Sequence, residues 1–296
     1  MLFTDSFYDY LLYERNYAAN TVSRYRADIL ELQNCVVRTT GCEDVSPSDV
    51  DADLIREWMV LLMDGGAASS TINRKLSSVR ALYRFLLRKK LVSVDPSQKV
   101  TGPKKKKPLP VFLREEEINR LLDDVSFGDD FEGCRDHLII EMFYATGMRL
   151  SELLDLKDDD VDLTVSLIKV TGKRNKQRLI PFAEELRQSI GGYVMKRNEA
   201  VPLRSDCFFV RKNGKPLSRG MVALIVKRNL SKVTTLKKRS PHVLRHTFAT
   251  AMLNHDAELG AIKELLGHES LATTEVYTHT TFEELKKVYN QAHPRA

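Results

Sequence analysis

Apolar residues recur at helical spacing through almost the whole of the first hundred residues. The pattern predicts four helices, near 4–16, 20–38, 50–63 and 69–90. Asn20 or Thr21, Ser48, and Ser69 or Ser70 are the expected N-caps. In the fourth segment Ile72, Leu76, Val79, Tyr83 and Leu86 form one stripe, assigned to the core. Arg80, Arg84 and Arg88 stand four residues apart and share another face. A helix that buries one stripe and shows an arginine row on another can track phosphates.

The run VDPSQKVTGPKKKKPLP, residues 94–110, breaks this periodicity. It holds Pro96, Gly102, Pro103, Pro108 and Pro110, and four consecutive lysines, Lys104, Lys105, Lys106 and Lys107. It reads as an extended basic linker between domains. Beyond it, helices are predicted over 113–125, opened by acidic residues Glu115–Glu117, and over 133–146. Two β-type runs, 165–170 and 177–182, flank the polar turn TGKRNK, and the acidic run 158–160 reads as a turn before a strand. A helix near 183–197 follows, then CFFVRKNGKPLS as a short strand and turn, then mostly helix to about residue 290. At the end, Phe282, Leu285, Val288 and Tyr289 make an apolar stripe on a helix over 282–290, too short to stand alone in water.

The expected fold class is mainly α, with a small β-sheet in the C-terminal domain. The domain expectation is 1–93 helical, 94–110 linker and 111–296 second domain, since single cores stop growing near ~250–300 residues. Net charge, +6 over 296 residues, fits a polyanionic partner, and its distribution says more than the total. Residues 1–68 carry 5 Lys/Arg against 12 Asp/Glu, whereas 69–107 carry 12 Lys/Arg and a single acid, Asp95. Residues 211–245 carry 11 Lys/Arg and no acid. Two such blocks predict basic surfaces. The four cysteines, Cys35, Cys42, Cys134 and Cys207, are scattered without a C-x-x-C pair and read as reduced thiols. An acidic, amphipathic N-terminus and the lack of any ~20-residue apolar stretch predict a cytoplasmic protein with no membrane partner. No zinc-ligand spacing, Walker-type loop or GxGxxG occurs, so no cofactor and no metal are expected.

The chemistry-bearing residues gather late in the chain. PHVLRHTFAT holds His242 and Arg245, three apart and on one helix face; LLGHESLATTEVYTH holds His268 and Tyr277. ATGMRLSELLDL supplies Arg149, and IKVTGKRNKQRLIPF a cluster of cations. Guanidinium groups bind phosphate oxygens bidentately and keep their charge. Arg149 and Arg245 are each expected early in a helix, where the dipole and free N–H groups also favour an anion. A phenol with a pKa of ~10 attacks poorly unless cations stabilise the phenolate. Imidazole can move protons near neutral pH. Together these groups can bind a phosphodiester and attack it. Tyr144, Tyr193 and Tyr289 are read as core tyrosines, and His246, His255 and His279 as structural.

These motifs resemble the tyrosine recombinases of the phage-integrase family, and nearly the whole chain, about 4–290, resembles its Xer branch. The resemblance implies a catalytic set of Arg149, Lys173, His242, Arg245, His268 and Tyr277, with Tyr277 the nucleophile and Lys173 the proton donor to the leaving 5′-oxygen. Lys173 is chosen over Arg174, Lys176 and Arg178 of the same segment by the family pattern alone. The family usually reads GKGNK where this chain reads GKRNK, so Arg174 replaces a turn glycine. Glu152 also matches and is expected to orient neighbouring cations. Expected DNA contacts are Arg80, Arg84, Arg88, Lys104 to Lys107, Arg174 and Lys176. The resemblance further implies a two-domain clamp on double-stranded DNA, a 3′-phosphotyrosyl intermediate needing neither metal nor ATP, and a tetramer on two DNA sites, built with itself or a sister recombinase. It implies that helix 282–290 docks on a neighbouring subunit. Chromosome-dimer resolution is the expected task. A mobile-element or phage integrase, a type IB topoisomerase and a catalytically silent DNA-binding protein are the alternatives.

Overall fold

The computed structural model describes residues 4–104, 111–172, 176–267 and 282–295. The chain divides into two compact units, residues 1–108 and 109–296. In the first, a short helix α1 (Thr4–Asp9) continues into a π-helical turn over Tyr10–Glu14, and is followed by α2 (Ala19–Thr40), α3 (Ala52–Asp64) and α4 (Ser69–Arg88). The predicted stripe on α4 is the heart of this unit. Ile72, Leu76, Val79, Tyr83 and Leu86 are all buried, against Phe7, Ile29, Leu32, Val36, Ile55 and Trp58. Asp28 on α2 is buried and tied to α4, accepting from Arg74 Nη1 at 2.6 Å, Arg74 Nη2 at 3.1 Å and Ser78 Oγ at 2.7 Å. A buried carboxylate is tolerable only with such partners.

The expected caps are corrected. Ala18 and Ala68 precede α2 and α4 without side-chain caps, so Asn20, Thr21, Ser69 and Ser70 do not serve. Ser48 lies within a 3₁₀ turn, Pro47–Asp49, capped by Ser46, and the cap of α3 is Asp51, which accepts from the N–H groups of Asp53 and Leu54. Short polar side chains are good caps only where the backbone leaves the helix, and here it leaves one to three residues away.

The first part of the linker segment is not extended. Residues Pro96–Lys99 form a 3₁₀ turn capped by Asp95, with Pro96, Ser97 and Val100 buried in the first unit. Three long side chains hold its carbonyls: Arg56 on α3 donates to Lys99 O (3.0 Å), Arg80 on α4 to Val100 O (2.7 Å) and Asn73 on α4 to Pro103 O (2.8 Å). Gly102 admits this approach, because a Cβ there would come within 2.3 Å of Asn73 Oδ1.

The second unit contains α5 (Glu115–Asn119), running into a π-helical turn over Arg120–Asp124, then α6 (Phe131–Thr146) and α7 (Leu150–Asp155). A 3₁₀ turn over Asp158–Asp160, where the acidic turn was expected, leads into β1 (Val161–Asp162), β2 (Leu167–Thr171) and β3 (Gln177–Pro181). The three strands form an antiparallel sheet in the order β1-β2-β3, with Val170 opposite Arg178 and Ile168 opposite Ile180. The remainder is α8 (Glu184–Ala200), α9 (Arg219–Leu230), α10 (Pro241–Asn254), α11 (Leu259–Leu266) and α12 (Phe282–Ala292). Helix α6 is buried almost all round, from Phe131 to Thr146, and organises the core that also takes Ile168, Val170, Ile180, Tyr193, Phe208 and Val226. The strand expected in CFFVRKNGKPLS is absent; the segment makes only the isolated bridges Lys157–Cys207 and Val210–Pro216.

In the single chain, helix α12 docks on its own unit; the expected docking on a neighbouring subunit concerns the assembly. Leu285, Tyr289 and Ala292 are buried against Phe248, Met252, Ile262 and Leu265. His293 stacks on Tyr289 with centroids 5.0 Å apart and planes 10° from parallel, and burial pushes its imidazole down to about 4. Arg295 then reaches Asp123 at 2.8 and 3.0 Å and Glu185 at 2.9 Å. Tyr289→Ala should therefore destabilise the DNA-free protein by roughly 3–5 kcal/mol in a urea titration. An unchanged transition would mean that α12 is not held in place within the single chain.

Candidate active site

Two glycine-ended helices shape the site. Helix α6 ends at Gly147, with φ +59°, where a Cβ would lie 2.5 Å from the Phe248 ring and 2.8 Å from Leu266. A side chain at this position would be strained twice over, by conformation and by crowding. The turn delivers Arg149 to the N-cap of α7. Its backbone N–H donates to Glu152 Oε2 at 2.7 Å and its Nη1 to Glu152 Oε1 at 2.7 Å. Helix α11 ends in the same way at Gly267, with φ +63°.

Three guanidinium groups converge where α11 ends. Arg178 Nε donates to Leu265 O at 2.7 Å, Arg245 Nη2 to Leu266 O at 2.7 Å and Arg149 Nη2 to Gly267 O at 2.8 Å. Three successive carbonyls, at the negative end of a helix, are thus each met by a different arginine. The next residue in sequence is His268. Arg245 also donates to Gly147 O, which links the two glycine-ended turns. Arg245 is the fifth residue of α10 and is buried, so its place is set by packing rather than by a helix N-terminus; only Arg149 fits that expectation.

One carboxylate balances the three cations. Glu152, with a side chain 1 % exposed, accepts from Arg149 and also, bidentately, from Arg178 Nη1 (2.8 Å) and Nη2 (2.9 Å). Burial pushes its carboxyl up, but the bonds and charge of Arg178, with those of Arg149, outweigh burial and hold it below its ordinary value. Arg245 shows the surplus of positive charge: burial, then the charges of Arg149 and Arg178, bring its guanidinium down to about 10, still protonated at neutral pH. His242 is exposed on the same helix. The part of it that is removed from water, then Lys238, Arg245, His246 and Arg149, hold its imidazole below its ordinary value, which favours the neutral form at physiological pH.

Among the described residues, the structure therefore brings Arg149, Glu152 and Arg245 together, with His242 in the same positive field. Lys173 and Arg174 lie outside the described residues, but the residues on either side of 173–175 are described. Gly172 N–H donates to Lys176 O at 2.7 Å, and a Cβ on Gly172 would sit 3.6 Å from Glu152 Oε1 and 4.0 Å from Arg149 Nη1. Gly172, the residue before Lys173, thus stands beside Arg149. His268 and Tyr277 also lie outside the described residues. Sequence reasoning named Arg178 only as one of several cations in its segment. Its signal was strand alternation, since Arg178 shares the inward face of β3 with the fully buried Ile180.

The expected DNA contacts of the first unit already have protein partners in part. Arg80 is half-buried on Val100 O, and Arg88 lies 4.4 Å over the Tyr10 ring and 3.4 Å from Glu14. Arg84 and Lys104 are exposed; Lys105, Lys106 and Lys107 lie outside the described residues.

Residues 111–284 match the phage integrase family, and residues 4–90 match the phage integrase N-terminal SAM-like domain. Tyrosine recombinase XerC of Chlorobaculum tepidum is 38% identical over 306 residues, covering 95% of this chain and 91% of that protein. Tyrosine recombinase XerD of Staphylococcus aureus is 34% identical over 286 residues, covering 96% of this chain and 95% of that protein. In fold, the chain is similar to the XerH site-specific recombinase bound to difH substrate in a pre-cleavage complex, with TM-score 0.70 and 23% identity over 96% of this chain and 83% of that one. With both of its parts matched and full-length relatives at this identity, the chain belongs to the phage integrase family, the tyrosine recombinases.

Proposed function

We propose that the protein is an Xer-type site-specific DNA recombinase that cuts and rejoins double-stranded DNA and resolves chromosome dimers in the cytoplasm. One observation carries the chemistry: among the described residues Arg149 and Arg178 share the buried carboxylate of Glu152 and Arg245 holds the neighbouring carbonyl of Leu266, a group of three cations whose charge an anion would relieve. In this reading Arg149 and Arg245 bind the non-bridging oxygens of the scissile phosphate and favour the charge that grows there. Tyr277 attacks and forms a 3′-phosphotyrosyl bond, and the leaving 5′-oxygen takes a proton from Lys173. His268 adds a donor to the phosphate, and neutral His242 accepts the phenol proton. The 5′-hydroxyl of a partner duplex then attacks the phosphotyrosine, so bond energy is conserved through the cycle. The relatives matched over nearly their whole length are named XerC and XerD, which supports the Xer reading over a mobile-element integrase. In this reading the protein works as a tetramer on two DNA sites.

Three outcomes are expected. Tyr277→Phe keeps DNA affinity and forms no covalent adduct on a nicked suicide duplex; an adduct in that variant removes Tyr277 as nucleophile. Under subsaturating DNA, where the free enzyme's groups control the rate, adduct formation falls to half its plateau only below pH ~6.5, the ordinary imidazole value, because the His242 pKa is depressed. A half-maximal point above ~6.5, or an acid limb unchanged in His242→Gln, excludes His242 as the base. Finally, Arg84→Gln and Lys104→Gln each flatten the dependence of log K on log salt by ~0.9, on cognate and random DNA alike. A slope equal to the parent's would make these merely solvated side chains.

A further inference from the structure

Resting on this reading, we infer that Arg178 is a positioning residue of the recombination site, acting through Arg149 and through the end of α11. Its side chain is 14 % exposed, against 31 % for Arg149. A guanidinium has five N–H donors. Arg178 directs Nε, Nη1 and Nη2 at protein acceptors, one carbonyl and both oxygens of one carboxylate. Arg149 makes one bond from Nη1 and one from Nη2, and is more open to a ligand. The division of labour follows. Arg178 holds, and Arg149 is held with donors to spare.

Arg178 holds two objects at once. Through Glu152 it fixes the carboxylate that orients the Arg149 guanidinium from below. Through Leu265 O it fixes the last turn of α11, two residues before Gly267 and three before His268. Gly267 also packs against it: a Cβ there would lie 3.1 Å from Arg178 Nη1 and 3.3 Å from its Cδ. The strand places the guanidinium there, because Arg178 is paired with the buried Val170 and precedes Ile180 on the same face. Lysine keeps the charge but cannot make a fork to a carboxylate and a third bond to a carbonyl. Without the fork, Glu152 would compete for Arg149 alone and draw that guanidinium away from a bound phosphate.

The test uses the full-length protein, its own recombination site as a nicked suicide duplex, and four single-turnover measurements: parent, Arg178→Lys, Glu152→Gln and the double variant. Arg178→Lys is expected to form adduct on the order of a hundredfold more slowly. The DNA concentration giving half-maximal rate stays at the parent value. In the double variant the loss equals that of the worse single variant, because the two side chains act as one unit. Arg178→Gln is made in parallel, with the urea transition of each variant as the control for folding. A parent-like rate in Arg178→Lys, losses that multiply in the double variant, or a loss carried wholly by DNA affinity overturns the inference. So does loss of the cooperative unfolding transition in both Arg178 variants, which would make the residue purely structural. A parent protein that forms no adduct overturns the recombinase reading and this inference together; parent activity with unaffected variants overturns this inference alone.

Discussion

The site depends on a single buried charge. Glu152 is almost wholly removed from water, and an ion so placed is costly unless both of its oxygens are filled. Arg149 and Arg178 fill them from different elements, the N-cap of α7 and the strand β3. That shared carboxylate lets two guanidiniums approach each other and a third, Arg245, without flying apart. Take the carboxylate away and the like charges would repel in a partly dry environment, where screening is weak. The glycine turns at 147 and 267 then bring the carbonyls that complete the arrangement.

Among the described residues, the site is net positive because Glu152 is the one carboxylate set among Arg149, Arg178 and Arg245. A phosphodiester would satisfy what the protein leaves unsatisfied, and it would meet groups already held in position. Such preorganisation is the usual source of electrostatic rate enhancement, since no dipoles need to turn as charge develops. The neutral state of His242 belongs to the same balance. Burial first, and then the same cations, hold that imidazole below its ordinary value, so a field that would attract an anion also disfavours a proton there.

Much of this was legible in the sequence because it rests on local periodicity. The α4 stripe, the β2–β3 hairpin and the buried α6 follow from residues within one element. The family resemblance brought Arg149, Glu152 and Arg245 forward, and the structure groups them. The fit of Arg178 was hidden, because its partners stand 26 and 87 residues away and one is a backbone carbonyl, which has no sequence signature. Carbonyl acceptors also hid the docking of residues 94–103, whose prolines and glycine read as linker. Caps were misplaced by one to three residues, the ordinary cost of reading helix ends without backbone angles. The self-docking of α12 turned on packing partners spread over α10 and α11, which an amphipathic stripe alone does not name.

The fastening of residues 94–103 bears on how such proteins can be recombined as modules. A chimera that joins this N-terminal unit to a foreign C-terminal part at the edge suggested by composition, between 93 and 94, would separate Val100 from its core and leave Arg56, Asn73 and Arg80 facing a strange sequence. The carbonyls they hold would still be present, since every residue has one, but Gly102 and the buried Pro96 would not. The graft point that respects the chemistry lies after Pro103, so that the latch travels with the helices that read it.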